Sequence, residues 1–217
     1  QTKSEAEFNS QDYFQYVLHN FEKSSQLKRG SQDRYYKIGG QVIHLRFAGT
    51  AMTDIMTPAL SHLEIDSQLE SGLTICLGDG ESMRLPQSLA QWNIEDPASS
   101  GGFRYYTDDR IYIIYQIDAY LFSMIDVERN LAFLWASDVS KIPYYINGAP
   151  IHSIFHYWFT KHKQQIVHAA SVGTKDGAVL IVGKGGSGKS TSALACLNAG
   201  MYYLGDDYTL ISNDLKK

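Results

Sequence analysis

The sequence predicts an α+β N-terminal domain with an antiparallel sheet, residues 1–148, followed over 149–217 by an α/β segment organised around a phosphate-binding loop. Three observations carry that prediction. Short alternating or apolar runs, separated by turn residues, recur between Gly40 and Trp135, as in an antiparallel meander with helices on one face. Residues 183–190 read Gly-Lys-Gly-Gly-Ser-Gly-Lys-Ser, a glycine, four residues, then Gly-Lys-Ser. An apolar stretch at 178–182 runs straight into that string, and a helical pattern leaves it.

The first element is a helix starting at Ser10. Tyr13, Phe14, Val17, Leu18 and Phe21 share one face at helical spacing, and Ser10 suits the N-cap. Residues 22–33 are charged and polar around Gly30 and read as a loop. From Gly40 to Phe47 the chain alternates. Ile43, Leu45 and Phe47 point one way and Val42, His44 and Arg46 the other, as in a half-buried strand. Residues 51–63 carry Ile55, Met56, Ala59, Leu60 and Leu63 at helical spacing. Pro58 within them predicts a kink, or a helix restarting with proline in its first position. A short apolar strand at 73–77 ends in Gly78-Asp79-Gly80, and residues 81–102, with two prolines and a Ser-Ser-Gly-Gly run, read as an irregular excursion.

Four strands then follow closely, at 103–106, 111–117, 120–125 and 131–135. Asp108-Asp109 and Glu128-Arg129-Asn130 supply turns, and Asp118-Ala119 a tighter break. Pro150 opens a helix whose Ile151, Ile154, Phe155, Trp158 and Phe159 form an apolar stripe. Strands at 165–172 and 178–182 are joined by the hairpin turn Lys175-Asp176-Gly177. The helix from Ser190 places Ala193, Leu194 and Leu197 inward and stops at Gly200. A strand at 201–204 then ends in Gly205-Asp206-Asp207.

Composition narrows the function classes. The 217 residues are 44% hydrophobic and 19% charged, with a net charge of −4, which excludes a disordered tail, a collagen repeat and a disulfide mini-scaffold. The mild acidity gives no electrostatic reason to expect a nucleic-acid partner. Cys76 and Cys196 read as reduced, buried thiols without metal-ligand spacing. No run approaches the ~18 apolar residues of a membrane helix, and residues 1–10 lack the order of a signal peptide. The expectation is a soluble, cytoplasmic protein with no membrane partner. Its aromatic-rich strands serve as core or as the interface of a homo-oligomer.

The chemistry concentrates in one segment. Gly183, Lys184, Gly185, Gly186, Ser187 and Gly188 let successive backbone N–H groups turn inward around phosphate oxygens, and a helix N-terminus adds partial positive charge. Lys189 can reach the β- and γ-phosphates, Ser190 can ligate Mg²⁺, and Thr191 falls in the same first turn. Asp206 and Asp207, at a strand end beside such a loop, are placed to hold Mg²⁺ or to accept a proton. Residues 190–205 leave room for only one helix and one strand between Lys189 and this pair. His152 and His156 lie four apart on a helix, but no glutamate follows the first and no third ligand suggests itself, so they read as partly exposed helix histidines.

From Val167 to Ile211 the chain resembles HPr kinase/phosphorylase and the wider group of HPr-kinase-like serine kinases. These are related in core fold to ATP-dependent phosphoenolpyruvate carboxykinase. His168, the 183–190 loop, Asn198-Ala199-Gly200 and Asp206-Asp207 carry the likeness, and residues 36–47 look like the N-terminal part of such proteins. The resemblance implies ATP and Mg²⁺, with Lys189 and Ser190 serving phosphates and metal. It implies that the acidic pair supplies a metal-side carboxylate and a base. The base is placed at Asp206 and the metal at Ser190 and Asp207, with the split between the two aspartates open. His168 matches a family histidine near the site, and a hydrogen-bonded strand histidine is an equal reading. The family's further metal-binding glutamate and C-terminal signature have no counterpart in residues 1–217, where Asp214 is the one later acid. The nucleotide-binding segment is therefore expected to be incomplete at its C-terminus. The leading function is an ATP-dependent kinase acting on a serine hydroxyl of a protein, peptide or small molecule. The alternative is a nucleotide-binding regulatory or assembly module without transfer. An ATPase motor or transporter subunit is set aside, because no ABC-type signature is present and the acidic pair comes too early.

Overall fold

The computed structural model describes residues 9–27, 32–66, 70–83 and 103–212. The excursion expected over 81–102 falls outside these from residue 84 onward, as does Asp214. Mixed α/β content, several helices and a main sheet of parallel and antiparallel pairs characterise the chain. It divides into two compact units, Gln1–Tyr157 and Trp158–Lys217.

The first unit opens with α1 (Ser10–Leu27), which runs through residues 22–27 where the polar composition had predicted a loop. Phe14, Val17 and Phe21 on its inner face are almost fully buried, and that apolar stripe outweighs the charged residues opposite. Its N-terminal donors are capped by Asn9, whose Oδ1 accepts from Gln11 N and Asp12 N at 3.0 Å each. Ser10 is not the cap. Its hydroxyl is turned inward and donates to Asp108 Oδ2 at 2.6 Å.

Seven strands form one sheet: β1 (Gln32–Ile38), β2 (Gln41–Phe47), β3 (Leu73–Asp79), β4 (Phe103–Thr107), β5 (Ile111–Gln116), β6 (Leu121–Asp126) and β7 (Leu131–Ala136). Their order is β1-β2-β3-β7-β6-β5-β4. The meander β4 to β7 is antiparallel as expected. The whole sheet is not, because β3 lies parallel between β2 and β7. Residues 51–63, folded as α2 (Thr53–Met56) and a 3₁₀ turn Pro58–Leu63 with proline at its start, make the crossover such pairing requires. The strand β1 was not foreseen. It pairs antiparallel with β2 across Gly39-Gly40, whose φ angles of +56° and +82° suit a tight hairpin.

On β2 the predicted alternation holds, with Ile43, Leu45 and Phe47 buried. The α1 side of the sheet carries Cys76, Ile111, Ile113, Phe122, Met124 and Phe133 packed against Phe14, Val17 and Phe21. Ser123 alternates to the other side and meets Ser153 at 3.2 Å, so the first turn of α3 (His152–Lys161) covers that face. Helical structure therefore lies on both faces. The buried carboxylate of Asp126 accepts from Arg110 Nε at 2.9 Å and a second Arg110 nitrogen at 2.6 Å.

In the second unit, β9 (Ala170–Thr174) is central, antiparallel to β10 (Gly177–Ile181) and to β11 (Tyr202–Gly205). A separate antiparallel pair joins β8 (Gln164–Val167) to β12 (Thr209–Ser212). The single strand expected over 165–172 is thus two strands, broken at His168-Ala169, each recruited by a different partner. Gly173 sits at the crossing of β9, β10 and β11, where an added Cβ would lie 2.8 Å from Gly177 O. Between β10 and β11 runs α4 (Lys189–Asn198), which packs Ala193 against Ala170 and Val172. Leu194 and Leu197, expected inside, are exposed, and Cys196 is only half-buried rather than fully enclosed. Ala193 is buried as expected, and the register of α4 brings Cys196, not Leu194 or Leu197, to the same side.

Candidate functional site

The connection from β10 to α4 is built from glycines placed where the backbone needs them. Gly186 and Gly188 hold φ at +74° and +87°, the left-handed region that a side chain disfavours. Ser187 N closes the turn on Lys184 O at 3.1 Å, and the helical ladder starts with Ser192 N on Gly188 O at 2.9 Å. No side chain caps the first turn of α4, so its N–H groups and their partial positive charge face the loop. A Cβ built on Gly185, Gly186 or Gly188 would meet no protein atom within 4 Å. The space beside these three glycines is open, as a loop whose N–H groups turn to a phosphate chain would need.

Lys189 is 7% exposed, unusual for a lysine. Its Nζ donates back to Gly183 O at 3.1 Å and Lys184 O at 3.4 Å, so the ammonium is held over the loop by neutral carbonyls. Among the described residues it makes no ion pair. Ser190 follows on the exposed side of the same turn, with Thr191 next to it.

Asp206 and Asp207 diverge. The Ser190 hydroxyl is the largest influence holding the Asp206 carboxyl below the ordinary carboxylate range; partial burial opposes it. The Asp207 N–H, the Tyr203 hydroxyl and the Lys189 charge add to the lowering. Tyr203 is pushed up in turn, first by burial and then by the Asp206 and Asp207 charges. Asp207 sits at φ +61°, a turn in which its N–H donates to Asp206 Oδ1 at 2.9 Å and Tyr208 N donates to Asp206 O at 2.7 Å. That geometry sends the Asp207 side chain to His168, whose Nε2 is 3.6 Å from Asp207 Oδ1. The Tyr208 ring lies 5.6 Å from the His168 ring, their planes inclined by 28°.

His168 reaches the turn because β8 and β9 break beside it. Thr209 Oγ1 donates to Ala169 O at 3.0 Å and lies 3.2 Å from Ser171 Oγ, fastening the start of β12 to the break. The expected residues thus fall into two clusters joined by adjacent aspartates: Lys189, Ser190 and Asp206, then His168 and Asp207. Tyr203 and Tyr208 were not singled out from the sequence. The signal that could have found them is the run Tyr202-Tyr203-Leu204-Gly205-Asp206-Asp207-Tyr208, in which aromatics bracket the acids.

The remaining candidates have structural explanations. The rings of His152 and His156 are 6.2 Å apart on half-buried positions of α3. Among the described residues no three or more His, Cys, Asp or Glu side chains form a group able to hold a metal ion. Asp108 closes the β4–β5 turn, its Oδ1 accepting from Arg110 N and Ile111 N. A shallow cavity of about 210 Å³ beside Phe21, Asp33 and Phe47 is lined by Arg46, already committed to Glu22 by two hydrogen bonds. Among the described residues, no helix is long and apolar enough to cross a membrane.

No protein-family model matches the chain, and no curated protein sequence matches it.

Proposed function

We propose that the second unit binds the triphosphate of ATP on the 183–190 loop and transfers a phosphoryl group to a hydroxyl, as an HPr-kinase-like serine kinase does. One observation carries this reading: Lys189, Ser190 and Asp206 converge at the uncapped N-terminus of α4 behind an open glycine cradle. Among the described residues Lys189 donates to two loop carbonyls and makes no ion pair, so its ammonium can turn to anionic oxygens at little cost.

Within this reading the two aspartates take different sides. Asp206, kept ionised beside the Ser190 hydroxyl, is the carboxylate suited to a cation, and Ser190 supplies a neutral oxygen. Mg²⁺ there would neutralise charge on the phosphate oxygens. Asp207 and His168, both exposed, stand where an incoming hydroxyl can surrender its proton. This exchanges the roles first given to the pair, with the base moving to Asp207. The loop and Lys189 orient the triphosphate, and the fixed turn at Asp207 aims the acceptor at it.

The test uses γ-labelled ATP with Mg²⁺ and a panel of serine-containing peptides and small hydroxyl compounds. Lys189→Ala weakens nucleotide binding by about 100-fold or more. Asp207→Asn keeps binding and stops transfer. The alternative, a nucleotide-binding module without transfer, is favoured by the single carboxylate beside Ser190. It predicts binding weakened in Lys189→Ala and no label moved by any variant or by the native protein.

A further inference from the structure

The contact between His168 and Tyr208 lies outside the apolar core of the second unit. Both side chains are substantially exposed, neither belongs to the small core of Ala170, Val172 and Ala193, and the β8–β12 pairing proceeds through backbone groups on either side. Yet their rings lie in an offset stack, 5.6 Å between centroids and 28° between planes, within the range at which such pairs attract. The Asp207 carboxylate closes the arrangement from the ring edge, 3.6 Å from His168 Nε2.

Three backbone features make this a built arrangement. The left-handed φ of Asp207 reverses the chain, so that successive side chains at 207 and 208 both come to the histidine. The Tyr208 N–H is tied to Asp206 O at 2.7 Å. The next residue, Thr209, is fastened to Ala169 O, immediately after the histidine. The imidazole is thereby met on its face by Tyr208 and on its edge by Asp207, which limits two independent torsions of an exposed side chain.

We propose that Tyr208 is a positioning residue for phosphoryl transfer: its ring holds the His168 imidazole in the orientation that presents Nε2 to Asp207. This rests on the kinase reading and deepens it by adding a residue that touches neither phosphate nor acceptor. The stack needs a flat ring at position 208, so phenylalanine keeps it and an aliphatic residue of similar bulk does not.

The experiment reads the side chain directly. The imidazole carbon-bound protons of His168 are identified in the nuclear magnetic resonance spectrum of the 217-residue protein by their loss in His168→Gln. They are then compared in Tyr208→Phe and Tyr208→Leu, with backbone amide spectra reporting the fold. A stacked ring shields these protons, so Phe keeps their shifts and Leu moves them downfield. In parallel, Mg-ATP turnover with water as the probe acceptor falls about tenfold in kcat for Leu, with KM for Mg-ATP unchanged, and is restored by Phe. Unchanged His168 shifts in Leu, or the same displacement in Leu and Phe, overturns the proposal. Should Leu fail to fold, Phe alone decides, since loss of the native shifts with a ring still present contradicts the stack. If the native protein neither binds nor turns over Mg-ATP, the kinase reading fails while the shift comparison still tests the stack.

Discussion

Nε2 of His168 lies 3.6 Å from Oδ1 of Asp207, although thirty-eight residues and four secondary-structure elements separate them in the chain. The pairing exists because β8 and β9 part at His168-Ala169 just where β11 gives way to β12. A carboxylate one residue earlier, Asp206, answers to Ser190 instead. Two neighbouring acids therefore serve two different partners.

That division predicts separable defects. Asp206→Asn weakens the dependence of ATP binding on added Mg²⁺, because the carboxylate beside Ser190 is lost. Asp207→Asn leaves the Mg²⁺ dependence intact and lowers transfer by at least about 100-fold, the ordinary scale for losing a general base. Binding measured across a magnesium series, with and without transfer, distinguishes the two. Identical behaviour of both variants contradicts the division.

The loop glycines predict a conformational penalty. Gly188→Ala forces a Cβ into φ +87°, which costs about 1–2 kcal/mol locally. Since no neighbouring atom obstructs that Cβ, the loss falls on loop shape and on ATP affinity, not on the core. Affinity dropping by tenfold or more, with the thermal midpoint of the protein nearly unchanged, is the expected pair of results.

Asn9 and Ser10 can be told apart by mutation. Asn9→Ala removes the helix cap and costs about 1 kcal/mol, read by urea unfolding. Ser10→Ala removes a buried hydroxyl from Asp108, a loss of about 1 kcal/mol that depends on the aspartate being ionised. In an Asp108→Asn background the Ser10 effect shrinks, whereas the Asn9 effect does not.

Acid sensitivity of the first unit follows from Asp108 and Asp126. Burial raises both carboxyls, but hydrogen bonds outweigh it: Ser10 and two backbone N–H groups for Asp108, Arg110 and the N–H groups of Glu128 and Arg129 for Asp126. Both end below the ordinary carboxylate range. Their contribution is therefore full at neutral pH, above the unfolded-state value, and is lost as pH falls through the lowered folded-state value. Unfolding curves from pH 7 to pH 3 should show the gap between native protein and Asp126→Asn narrowing as acid is added. A gap that stays constant or widens contradicts the assignment.

Much of this was legible where one local signal acted alone. The alternation of residues 41–47 fixed which of Ile43 and His44 would be buried, and the 183–190 string fixed the strand, loop and helix around it. What escaped were decisions made by distant partners. Residues 32–38 are too polar to read as a strand, yet β2 offers them seven paired positions. The parallel placement of β3 depends on a crossover and on β7, neither visible in the apolar run itself. The break at His168 divides what reads as one strand because β12 pairs with the part before it and β11 with the part after it. In the candidate site, spacing singled out Lys189 and the acidic pair, but which aspartate meets Ser190 depends on one left-handed turn at Asp207.

Nucleotide binding at the loop is tested most directly by calorimetric titration of the protein with Mg-ATP, beside Lys189→Ala. The expected result is saturable one-to-one binding that weakens by about 100-fold or more in the variant, the scale of a lost charge-assisted contact to phosphate. Absence of binding to the native protein, or equal affinity in Lys189→Ala, would contradict it.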